Sequence, residues 1–206
     1  PDEIKRARQD IKDTYEKGIN KKNVEYRFVK KSGKVWHGSV SWQSYQDEKG
    51  QIAGLVMQII DISSIKEMEK INNLNQQRLH ALWHLSQMSE KTLEDVIEFA
   101  LEESVALTES TMGYVAFVSE KNGIMQMHSW SEGSMQECMM DKKPRIYRIE
   151  ETGLWGEAVR QRIPIITNDY SAESPWKKGF PEGHVSLTRH MNVPVFDNEE
   201  IVLLAG

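Results

Sequence analysis

Cys138 is the only thiol in the chain, and six histidines accompany it: His37, His80, His84, His128, His184 and His190. A nucleophilic thiol needs a base within hydrogen-bond reach, and the histidine nearest to Cys138 in sequence is His128. Two readings of Cys138 stay open. It is either a small half-buried packing residue, as free cysteines often are, or a cofactor ligand or redox switch. His184 closes the run Pro181-Glu182-Gly183-His184-Val185 at the end of a long loop, and a long loop in a compact domain is commonly functional. Its alternative is a surface histidine bonded to the backbone. His128 stands beside Trp130 on a predicted strand, as a core residue or a ligand contact. His190 precedes a strand and reads as solvated. Trp130, Trp155 and Trp176 are either pocket walls for a flat ligand or core and lid packing. Lys177 and Lys178 either meet ligand carboxylates or phosphates, or are solvated loop charges.

Several chemistries drop out. His80 and His84 lie on a predicted helix and invite a phosphoacceptor reading, but an acceptor histidine is followed by an acidic residue and an Arg-Thr-Pro-type run, whereas here His84-Leu85-Ser86-Gln87 follows. Ser32-Gly33-Lys34 lacks the upstream glycine of a phosphate loop and reads as a hairpin turn. There is no HExxH, no Cys-x-x-Cys-His haem-attachment run and no sign of a catalytic triad. One cysteine gives no internal disulfide and fits a reducing compartment, the cytoplasm. The net charge is −5, without the basic footprint of a nucleic-acid partner. No apolar run approaches the ~20 residues that span a bilayer, so no membrane contact is expected. The 206 residues, 39% hydrophobic and 28% charged, suit one or two globular domains.

These residues need elements to hold them. Ile4, Ala7, Ile11, Tyr15 and Ile19 have helical spacing over 3–19. The period then becomes two, and strands at 24–29, 35–45 and 52–60, separated by Gly33 and Gly50 turns, form an antiparallel meander. A Gly- and Pro-free polar helix is predicted from about Ser64 to Met88. One heptad register takes Ile65, Met68, Leu79 and Leu82 with Asn72 and Asn75 in the seam; another takes Ile71, Leu74, Leu85 and Met88. Either a dimeric coiled coil or a monomeric linker fits. Thr92-Leu93-Glu94-Asp95 opens a further helix in capping-box style. Strands follow at 114–119 and 124–130, an irregular or helical piece at Met135–Met140, a strand at 145–150, a helix at 153–162, a strand at 164–168, a loop over about 170–186, and a closing hairpin of 193–196 with 201–204. The fold class is α+β: an antiparallel-sheet fragment, a linker helix, and a domain with a central antiparallel sheet. Both ends of the sequence look cut, as in a fragment of a modular protein.

Glu25-Tyr26-Arg27-Phe28, Ser32-Gly33-Lys34-Val35-Trp36 and the closing Asp61-Ile62-Ser63 carry a resemblance. On them residues 1–63 resemble the C-terminal half of a PAS domain, with Ser63 where PAS domains commonly close on Thr. Residues 80–206 resemble a GAF domain of prokaryotic sensor histidine kinases. The runs that match are Gly153-Leu154-Trp155-Gly156-Glu157-Ala158-Val159-Arg160-Gln161, Pro164-Ile165-Ile166-Thr167-Asn168-Asp169-Tyr170, and Lys177-Lys178-Gly179-Phe180-Pro181-Glu182-Gly183-His184. The expected boundaries are 1–63 for the PAS-like part, 64–89 for the signalling helix and 90–206 for a GAF domain truncated at its C-terminus.

The second segment is also similar to haem-binding GAF domains of redox-sensing kinases of methanogenic archaea. That resemblance implies a thioether from Cys138 and an axial imidazole from His184; Trp155, Trp176 and His128 are the further residues expected at the cofactor pocket. It implies a non-catalytic sensory module that binds a small molecule or haem, dimerises through the linker helix and relays to a kinase-type output. The alternative is a ligand-free dimerisation and relay module; a third reading is an enzyme fragment using Cys138.

Overall fold

Spacing of apolar residues decides which segments become helix and which become strand. A computed structural model of the chain describes residues 2–133, 146–179 and 186–206. It divides into two compact units, Pro1–Gln76 and Gln77–Gly206.

In the first unit, α1 (Asp2–Lys17) precedes β1 (Lys21–Val29), β2 (Val35–Gln46) and β3 (Ile52–Asp61). The strands pair antiparallel in the order β1-β2-β3. Alternation along β1 and β2 aims Tyr26, Val40 and Trp42 at one face, where Ala7 and Ile11 of α1 cover them. Val56, Met57, Ile59 and Ile60 of β3 remain exposed, so one short helix leaves part of the sheet bare. Tyr26 donates its hydroxyl proton to Asp10, and Lys21 Nζ reaches the same carboxylate at 2.9 Å.

Helix α2 (Ser63–Ser86) is continuous, with no interruption at Asn72–Asn75. Its start is fixed by Asp61, whose carboxylate accepts from the Ser63 N–H at 2.9 Å. Among its side chains only Ala81 is buried.

The second unit opens with α3 (Leu93–Leu107), held by the expected capping box between Thr92 and Asp95. Then come β4 (Tyr114–Ser119), β5 (Ile124–Trp130), β6 (Ile146–Arg148), α4 (Glu157–Gln161), β7 (Ile165–Thr167), β8 (His190–Asp197) and β9 (Glu200–Ala205). All neighbours in the six-stranded order β6-β5-β4-β9-β8-β7 are antiparallel. One face carries Ala116, Val118, Met125, Met127, Ile201 and Leu204 beneath Ala158 and Val159 of α4. The other carries Val115, Phe117, Leu203 and Ala205 against Ile97 and Leu101 of α3. Met125, Ile201 and Leu204 are fully buried, each contributing roughly 1.5–3 kcal/mol of transfer free energy.

Three details differ from the expected elements. The strand at 145–150 is shorter and passes into a 3-10 turn at Ile149–Glu151. The helix at 153–162 begins as a second 3-10 turn, Leu154–Gly156, and is α-helical only over α4, where Arg162 stops it with a left-handed φ of 59°. Strand β8 starts at His190, three residues before the expected Val193. The predicted helical piece at Met135–Met140 lies outside the described residues.

Candidate functional site

The face of the second sheet that carries α4 also carries a polar chain inside an aromatic surround. Asn192 of β8 is fully buried. Its Nδ2 donates to the main-chain carbonyl of Trp155 at 2.8 Å, and its Oδ1 accepts from the Tyr114 hydroxyl at 2.8 Å. These two bonds fix the amide's orientation, because a flipped amide would set oxygen against the Trp155 carbonyl. The second Nδ2 hydrogen then meets His190 Nε2 at 3.1 Å. Nε2 is therefore the acceptor, and the proton of a neutral His190 sits on Nδ1. That Nδ1 is buried and has no hydrogen-bond partner among the described residues. Burial lowers the His190 pKa and favours the neutral ring. Burial also pushes the Tyr114 hydroxyl well above its ordinary range, which keeps it a proton donor.

Strand alternation puts these groups together: His190, Asn192 and Pro194 share one face of β8. Gly206 closes the floor. Its main chain pairs with Tyr114, and a Cβ there would stand 2.0 Å from Asn192 Oδ1 and 2.5 Å from the Tyr114 ring. Trp155 sits edge-on to Tyr147 at 4.8 Å and to Tyr114 at 6.1 Å between ring centres. Tyr170 lies edge-on to His190 at 5.8 Å.

One arginine shapes the turn that carries Trp155. Arg160 donates to the carbonyl oxygens of Ile149, Thr152 and Gly153 and to Thr152 Oγ1, and pairs with Glu157. These carbonyls belong to two short 3-10 turns and the residues between them; Ile149 and Gly153 each accept one main-chain N–H, from Thr152 and Gly156, and Arg160 fills their remaining acceptor capacity. Gly156 is needed there, since its Cβ would fall 1.7 Å from Thr152 Oγ1. The loop after β7 is tied down by its two lysines. Lys177 donates to the carbonyls of Tyr170 and Ala172 and stands 4.5 Å over the Tyr170 ring; Lys178 donates to the Glu150 carbonyl at 3.1 Å. Their ammonium groups thus brace the loop against its own main chain and that of Glu150.

The sequence-predicted residues separate. Trp155 is on the α4 face, half-buried. Trp176 is 45% exposed, and its carbonyl would stand 3.3 Å from a Cβ placed on Gly153. His128 is on the opposite face, edge-on to Phe117 at 4.8 Å. It does not join Trp155, because Met125 and Met127 take the α4 face and the intervening positions of β5 turn the other way. Cys138 and His184 lie outside the described residues, and with them their expected meeting across one cavity. The recess along the 171–177 loop is lined by Ser171, Ala172, Glu173, Ser174, Pro175 and Lys177. Trp155 is not among its described lining residues. His190, read as solvated, is instead half-buried and bonded to Asn192. Its period-2 spacing with Asn192 and Pro194 was the available signal, hidden because Met191-Asn192 looked like the approach to a strand.

A family model described as the GAF domain matches residues 90–206. The chain belongs to the GAF domain family. A solved GAF domain from a phosphoenolpyruvate-protein phosphotransferase of Coxiella burnetii superimposes on this one with a TM-score of 0.50 at 15% identity, covering 63% of this chain and 76% of that one. That likeness concerns the fold alone. The chain is also 50% identical over 146 residues, 71% of its length, to a protein named methyl sulfide methyltransferase-associated sensor from Methanosarcina acetivorans. It spans 15% of that sensor's length. In this GAF domain the Tyr114–Asn192–His190 chain lies between the central sheet and the Arg160-braced turn, and no helix among the described residues is long and apolar enough to cross a membrane.

Proposed function

We propose that this GAF domain is a non-catalytic sensory input module that binds a small, flat ligand on the α4 face and relays its state to a kinase-type output. The observation that carries this reading is the buried Nδ1–H of His190, which has no hydrogen-bond partner among the described residues and whose ring lies edge-on to Tyr170. A buried donor without a partner costs on the order of 1–3 kcal/mol, and a ligand that brings an acceptor removes that cost. The 50% identity to a protein named as a sensor supports the same reading.

Haem is the ligand proposed. The described residues fit it: Trp155 and Tyr147 offer apolar edges to a macrocycle, and His190 Nδ1 offers a donor to a carboxylate. By resemblance, Cys138 would hold its edge as a thioether and His184 would be the axial imidazole. Bound haem would supply an iron whose oxidation state follows the redox poise. His128, on the far face, is not part of this set.

The first unit is proposed as the end of a PAS domain, and α2 as the relay. Ile65, Met68, Leu79 and Leu82 keep 50–67% of their surface exposed at heptad positions, the spacing with which a second copy would pair.

An absorbance scan of the purified chain after haem reconstitution tests the ligand reading. A Soret band that resists acid–acetone extraction, becomes extractable in Cys138→Ala and changes shape in His184→Ala is the expected result. Absence of haem binding would overturn it and favour the ligand-free relay.

A further inference from the structure

We propose that His80 and His84 form a two-imidazole site for a divalent transition-metal ion on α2. Residues four apart on a helix are neighbours on one face, and here the two rings stand 4.4 Å apart between centres. Neither ring makes a hydrogen bond or ion pair among the described residues, so their ring nitrogens are uncommitted. His80 is exposed and His84 half-buried, which leaves the pair open to solvent on one side. His84 is also held from behind: its ring stacks on Phe99 of α3 at 5.9 Å, with 30° between the planes. Trp83 lies edge-on to His84 at 5.0 Å. One imidazole is thus fixed before any ion arrives, and the other needs only a rotamer choice to meet it.

The donor set decides the class of ion. Among the described residues no third histidine, cysteine, aspartate or glutamate joins the pair, so water fills the other positions. Two neutral nitrogens without a carboxylate suit Cu²⁺, Ni²⁺ or Zn²⁺ and are poor ligands for Mg²⁺ or Ca²⁺. An ion bridging positions 80 and 84 requires the turn between them to be helical, so binding favours the ordered end of α2.

The test uses the whole 206-residue chain. Titration with Ni²⁺ by calorimetry, and with Cu²⁺ by tryptophan fluorescence, is expected to give one saturable site, with Trp83 quenched by Cu²⁺. Mg²⁺ should produce neither signal. His80→Asn and His84→Asn should each weaken binding by about tenfold or more, since losing even a group that only orients a metal ligand costs on that order, while His37→Asn leaves it unchanged. His80 is an exposed position, so His80→Asn keeps the test valid even if His84→Asn disturbs the contact with Phe99. No saturable site, or a site equally tight in the wild type and His80→Asn, overturns the proposal.

Discussion

Asn192 commits both Nδ2 hydrogens and its Oδ1 to three partners at a position without solvent, and this makes it the most sensitive polar residue of the GAF domain. Asn192→Leu leaves the Tyr114 hydroxyl, the Trp155 carbonyl and His190 Nε2 without their partner. We expect a loss of about 2–4 kcal/mol in urea unfolding of the second unit. Tyr114→Phe removes one donor and orphans only Asn192 Oδ1, and should cost about 1–3 kcal/mol in the same measurement. His190 adds a pH dependence of known sign. Its folded pKa is lowered from 6.5 by burial, so the unfolded chain takes up the proton first. Stability is intact above about pH 6.5 and falls as the pH drops through that value toward the lower folded one. His190→Asn should flatten this part of the pH profile.

Among the elements, the two 3-10 turns before α4 depend on outside help, because three residues of 3-10 helix satisfy few of their own carbonyls. Arg160 donates to the carbonyls of Ile149 in the first turn and of Thr152 and Gly153 between the two, and Gly156 supplies the room. Arg160→Met should loosen residues 149–156, seen as faster amide hydrogen exchange there while α3 and β4 keep their protection. Gly156→Ala forces a Cβ into Thr152 Oγ1 and should lower stability by about 1–3 kcal/mol in chemical denaturation. Helix α3 is simpler. Thr92→Ala removes its cap and should cost about 1 kcal/mol. Helix α2 was legible from composition alone, since 24 residues without Gly or Pro leave little else to form. The turn at 149–156 was not legible: a helical pattern from Gly153 to Arg162 is the same whether its first turn is α or 3-10, and Arg160's contacts decide between them.

On the scale of the whole molecule, the two units carry different acid sensitivities. In the first, the Tyr26 hydrogen bond, with Lys21 and Arg6 nearby, lowers the Asp10 pKa below 3.8 despite burial. The stability it provides is present above that value and lost as the pH falls through the folded one. Asp13, Asp61, Asp95 and Asp169 are lowered as well, so the carboxylates act well below the His190 window. Acidification from pH 7.5 to 5 should therefore raise amide exchange in Gln77–Gly206 first, while Pro1–Gln76 holds. Peptide-resolved exchange corrected for intrinsic rates checks this. In the proposed dimer, Leu79→Glu or Leu82→Glu should convert a sedimenting dimer to monomer, since a buried charge replaces an apolar seam residue.

Sequence alone determined the element order, the meander of the first unit and the capping box, because each rests on short-range spacing: a period of two or 3.6, a capping residue, a turn glycine. It did not determine which aromatic and polar residues share a face. His128 and Trp155 are 27 positions apart, and the pleat of β5 sends His128 to the α3 side. Tyr114, Asn192 and Gly206 meet only because β4, β9 and β8 are neighbours in the sheet, an order that no local pattern records. The tertiary structure decided that His190 is a half-buried neutral donor and not a solvated base, since Asn192, held by Tyr114 and Trp155, takes its Nε2 and Tyr170 reaches its ring from a distant segment of the chain.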